Sequence, residues 1–250
     1  MKKIVLSILF IAFVTACAWS QKTYFAAFKA GLSIRDEASV NGKVIDKIPY
    51  AQKVETVKDN EVPVSIVADG YTGYWWKIKY KNKTGYVISS YLLPVAPPKV
   101  GTKTLKQYFA QIAKPVAAPL QVKKHVPTNI EDNGYSMTKQ LFNNGMEYTE
   151  SVFYESNEAL YILPEFSTEQ AFLLLRLMAV YPDLITEKTS LPVASSGNNN
   201  PEDETIVERY NWDAPAPVKK LSITKQNGAI FSIEIYTKGN QAFIFYAAGV

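Results

Sequence analysis

Two side chains in this 250-residue chain are singular: Cys17 is the one cysteine and His125 the one histidine. Most catalytic metal sites need several imidazoles or thiolates, and a thiolate nucleophile needs a base beside it. One of each excludes HExxH and paired-His zinc sites, CxxC-based zinc or iron–sulfur sites, and a disulfide within the monomer. His125 stands in Lys123-Lys124-His125-Val126-Pro127, a basic segment that reads as an exposed loop. A Ser-His-Asp set would have to use it, and no GxSxG elbow supplies the serine. Glu147, Glu150, Glu155 and Glu158 bring to mind the two carboxylates of a glycosidase, but in strand and turn sequence they read as solvated faces. Asn198 to Glu204 is acidic yet lacks the D-x-D-x-D-G alternation of a calcium loop. There is no P-loop and no GxGxxG. The residues therefore point to binding without catalysis, with no cofactor and no metal.

Cys17 fits another chemistry. Lys2 and Lys3 precede an apolar run from Ile4 to Val14 broken only by Ser7. The run has the length of a signal-peptide core and is shorter than the ~20 residues of a membrane span. It ends at Val14-Thr15-Ala16-Cys17, which resembles a bacterial lipobox, so Cys17 is the expected lipidation site and membrane anchor. Ordinary cleavage after Ala18 or Ser20 is the competing reading. Either way the expected destination is export: periplasmic, outer-membrane-anchored or secreted. The formal charge of +4 falls when Lys2 and Lys3 are removed, which leaves no electrostatic case for nucleic acid.

The elements that would position a binding site divide near residue 96. Pro94-Val95-Ala96-Pro97-Pro98 reads as a stiff, extended linker, and the net charge changes from positive before it to negative after it. Between residues 24 and 93, short alternating runs separated by turns indicate a small all-β unit. They include Gly31-Leu32-Ser33-Ile34-Arg35, Lys43-Val44-Ile45, Trp75-Trp76-Lys77-Ile78-Lys79-Tyr80, and Thr84-Gly85-Tyr86-Val87 with Ser90-Tyr91-Leu92. Strand parity places Trp76, Ile78 and Tyr80 on the core face and Trp75 outside with Lys77 and Lys79.

In type and order, these four motifs resemble a bacterial SH3 domain over about 70 residues. The resemblance implies a β-barrel that binds a cell-wall peptide or an envelope protein through an aromatic-lined groove. Tyr50, Trp75, Tyr86 and Tyr91 are the groove candidates. One departure from the family pattern is the stretch from Asp59 to Gly73, longer than the usual loop, in which Asp69-Gly70 is placed to turn an extra hairpin over the groove.

Residues 104–250 read as an α+β domain. Thr104 to Ala113 is a short helix, and Asn143-Asn144-Gly145 joins strand-like runs at 137–143 and 148–154, with a third at 159–163. Ser167 and Gln170 form a capping box for a helix that is apolar almost all round and is stopped by Pro182, so it should be deeply buried. Strands at 206–210, 218–224, 229–236 and 241–246 follow, with Asn227-Gly228 and Gly239-Asn240 as tight turns. The expected fold is mainly β in two domains: an SH3-like barrel over 24–93, a Pro-rich linker over 94–103, then an antiparallel sheet carrying one buried central helix. The expected function is a non-catalytic envelope adaptor. The rivals are a carboxylate-dependent cell-wall hydrolase and a purely structural envelope module.

Overall fold

The computed structural model describes residues 22–58, 64–129, 132–197, 203–210, 216–226 and 228–250. The leader with Cys17, part of the insertion after Val57 and most of the acidic run at 198–204 lie outside the described residues. Among the described residues no helix is long and apolar enough to cross a membrane.

The first sheet comprises β1 (Thr23–Ala26), β2 (Leu32–Arg35), β3 (Val44–Ile48), β4 (Lys53–Thr56), β5 (Ser65–Ala68), β6 (Tyr71–Tyr80), β7 (Lys83–Ile88) and β8 (Leu92–Leu93). Its order is β3-β2-β7-β6-β4-β1-β8, with β5 also on β6. The path does not close into a barrel among the described residues. Asp69 (φ 51°) and Gly70 (φ 82°) both adopt the positive φ that a two-residue type I′ turn demands, so the insertion does form a hairpin, β5–β6.

Strand parity fails in β6. Trp75 is only 5% exposed rather than outward-facing. The reason is the neighbourhood of the first half of the strand: Tyr71, on the same parity as Trp75, is buried, and the Trp75 N–H donates to Val64 O beside the added hairpin. Only from Lys77 onward does that face meet water.

The second sheet holds β9 (Leu120–His125), β10 (Tyr135–Leu141), β11 (Glu147–Val152), β12 (Ser156–Pro164), β13 (Ser196–Gly197), β14 (Glu204–Arg209), β15 (Val218–Gln226), β16 (Ile230–Lys238) and β17 (Gln241–Gly249). Every neighbour in the order β13-β14-β15-β16-β17-β12-β11-β10-β9 is antiparallel. Gly239 (φ 63°) opens the two-residue turn from β16 to β17. His125 therefore ends an edge strand rather than sitting in a loop.

Among the described residues, two α-helices pack on these sheets. In α1 (Leu105–Ile112), the ring of Phe109 meets Phe142 and Tyr161 edge-on, with centroids 5.5 and 5.9 Å apart. In α2 (Thr168–Met178) the expected capping box is present: Ser167 Oγ accepts from the Gln170 N–H at 3.1 Å, and Gln170 Oε1 accepts from the Ser167 N–H at 3.0 Å. A left-handed Ala179 ends the helix before Pro182 is reached.

Why α2 is apolar all round is now plain. One side lies on β15, β16 and β17, while the other meets the first sheet, where Phe172 packs on Tyr71 at 6.1 Å and Gln170 Nε2 donates to Leu92 O at 2.8 Å. A single hydrophobic cluster runs from Ala26 through Phe172 to Ile244. The Pro-rich segment is clamped as well: the Tyr50 hydroxyl donates to Pro98 O at 2.7 Å, and the Tyr108 hydroxyl to Ala96 O at 2.9 Å.

Candidate functional site

A cleft of about 440 Å³ opens where the N-terminus of α2 meets both sheets. Tyr24 of β1 and Trp76 of β6 form one wall, with ring centroids 5.0 Å apart and planes tilted by 59°. Tyr74 extends that wall. Phe166, Pro217 and the Gly239-Asn240 turn line the cleft from the second half of the chain.

The floor is polar. Glu169, in the first turn of α2, is 7% exposed. Its Oε1 accepts the Thr72 N–H of β6 at 3.4 Å and the Val218 N–H of β15 at 3.3 Å, so a single carboxylate oxygen ties the two sheets together. Burial strips water from this carboxyl and pushes its pKa up to about 7. The two N–H donors and the more distant Arg209 pull the other way without cancelling that effect. Ser90, which lines the same cleft, is 8% exposed, and its buried Oγ has no hydrogen-bond partner among the described residues. A Cβ on Gly73 would lie 2.0 Å from that oxygen, so only glycine leaves it room. Ser89 Oγ is already engaged, accepting the Tyr74 N–H at 2.9 Å.

The other end of α2 is pinned by charge. Arg176 Nε donates to Glu187 O at 3.0 Å, Nη1 to the Tyr71 hydroxyl at 3.4 Å, and Nη2 lies 3.6 Å from Asp69 Oδ2. Burial pushes the Tyr71 hydroxyl up to about 12, although Arg176 opposes the shift. An acid at the head and a base at the tail of α2 both complement the helix dipole.

The four aromatics expected to share a groove have separate surroundings. Trp75 is buried, as described. Tyr91 is 7% exposed; its hydroxyl donates to Asp69 Oδ2 at 2.8 Å and its ring packs against Phe28 at 5.0 Å. Tyr50 is half-buried against Pro98, and burial pushes its hydroxyl up to about 12. Tyr86 is half-buried beneath the Lys77 ammonium, 5.5 Å from the ring centroid.

The other chemical candidates are also placed. His125 Nε2 lies 2.5 Å from Asp132 Oδ1, and its ring faces Tyr135, with no serine bonded to it among the described residues. Lys139 pairs with Glu147 at 2.8 Å and Lys106 pairs with Glu150, so these carboxylates are ion-paired. Among the described residues no three His, Cys, Asp or Glu side chains gather as metal ligands.

Sequence reasoning missed Tyr24, Glu169 and Ser90. For Glu169 a signal was present: a carboxylate in the first turn of a helix read as buried on every side must be buried too. Ser90 and Tyr24 carried none, because their importance lies in contacts across the fold. The chain matches no protein-family model, no curated protein and no solved structure.

Proposed function

We propose that this is an exported, non-catalytic binding protein that grips an extended segment of a cell-wall peptide or an envelope protein in the cleft between its two sheets. In this reading residues 24–93 are an SH3-like unit left open rather than closed, and the family's peptide groove is replaced by the cleft that the unit makes with the second sheet and α2. The observation that carries it is the tilted Tyr24–Trp76 pair standing over a polar floor. Stiff aromatics supply contact area at low entropic cost, and buried polar groups fix the register of what lies on them. Lipidation at Cys17 would tether the protein to a membrane, and no cofactor takes part.

A hydrolase is the second reading, favoured by one feature: a carboxyl held near pH 7 can serve as a general acid. Titrating soluble peptide fragments of digested cell wall into the protein separates the two. The binding reading expects saturable complex formation without change in the fragments, weakened about tenfold or more by Trp76→Ala, the equivalent of about 1.4 kcal/mol. Fragment cleavage, or affinity indifferent to Trp76, would overturn it.

A further inference from the structure

Glu169 uses its two carboxylate oxygens unequally. Oε1 holds two backbone N–H groups, one from each sheet, while among the described residues Oε2 has no hydrogen-bond donor. Among the described residues Ser90 Oγ alone is both buried and partnerless, so Oε2 opens onto the cleft, where a cation would meet an unpaired carboxylate oxygen. Ser90 supplies a second, independent mark. A buried hydroxyl without a partner is unfavourable, and native structures keep few of them. Gly73 is the residue that leaves space for it. The two line the same cleft as Trp76, Tyr24 and Tyr74, side chains of the kind whose rings attract cations. Glu165 and Lys22 also line the cleft, one negative and one positive.

We infer that the cleft selects a peptide segment presenting a primary ammonium, which sits between Glu169 Oε2 and Ser90 Oγ under the Tyr24–Trp76 wall. This rests on the cleft being the peptide site and goes beyond it by naming the group that is read. An ammonium brings three donors and no acceptor, and the hydroxyl and the free carboxylate oxygen both accept. A carboxylate or phosphate ligand would face Glu169 with like charge.

The test uses the full chain and two probes, the capped tripeptide acetyl-Ala-Lys-Ala-amide and its twin acetylated on the lysine Nε. Binding is followed by tryptophan fluorescence at neutral pH and low salt. The expected result is at least tenfold tighter binding of the lysine peptide, with E169Q reducing it to the level of the acetylated twin. Should E169Q fail to fold, the comparison of the twins decides the matter, since it needs no variant. Equal affinities that still depend on Trp76 would overturn the ammonium and leave the cleft standing. Binding of neither peptide at millimolar concentration would overturn both.

Discussion

Glu169 belongs to two structures at once, the capped first turn of α2 and the seam between the sheets. Its raised pKa has a sign that can be worked out. The folded chain keeps a proton that the unfolded chain releases between about pH 4.5 and 7, so this group's contribution to stability is greatest below that window and is lost as the pH rises through it. The lost contribution is about 3 kcal/mol at most, from a shift of about 1.4 kcal/mol per pH unit. Asp46, Asp132 and Glu187 are held below their ordinary range and act beneath this window. The urea midpoint of the natural chain should therefore fall from pH 5 to pH 8, and that of Glu169→Gln, which keeps an acceptor for both N–H groups, should fall much less. Parallel pH responses of the two proteins would show that the carboxyl is ordinarily solvated.

At the scale of elements, α2 is the piece on which both sheets depend. Phe172 is fully buried and reaches Tyr71 of the first sheet from a helix seated on β15 to β17 of the second. Phe172→Ala should cost about 3–5 kcal/mol, the range for a large buried aromatic whose cavity cannot collapse. Because the helix is shared, near-ultraviolet signals from both sheets should be lost at one lowered denaturant midpoint. Loss of second-sheet signals alone would mean that α2 belongs to that sheet only. The sequence placed this helix, its capping box and its burial, because those are local patterns of apolar spacing and end chemistry. It placed the Asp69-Gly70 hairpin for the same reason. It misread Trp75, since alternation tells which residues share a face but not what will cover that face.

For the whole molecule, the decisive fact is continuity of the core across the Pro-rich segment. Tyr50 and Tyr108 hold Pro98 and Ala96, respectively, by their carbonyls, and one apolar cluster passes from the first sheet through α2 to the second. Calorimetry should therefore give a single cooperative unfolding transition with matching van't Hoff and calorimetric enthalpies. Two resolved transitions would mean that the sheets fold as separate domains.

What the sequence determined alone were features that depend on near neighbours: strands at period two, the capped apolar helix, the turn dipeptides, and the scarcity of thiol and imidazole that directs attention away from metal and cysteine chemistry. The cleft, by contrast, comes from long-range packing. Tyr24, Trp76, Ser90, Glu169 and Asn240 lie far apart in the chain and meet because two sheets close on one helix. No periodicity encodes that meeting, which arises from burying two apolar faces against the same element.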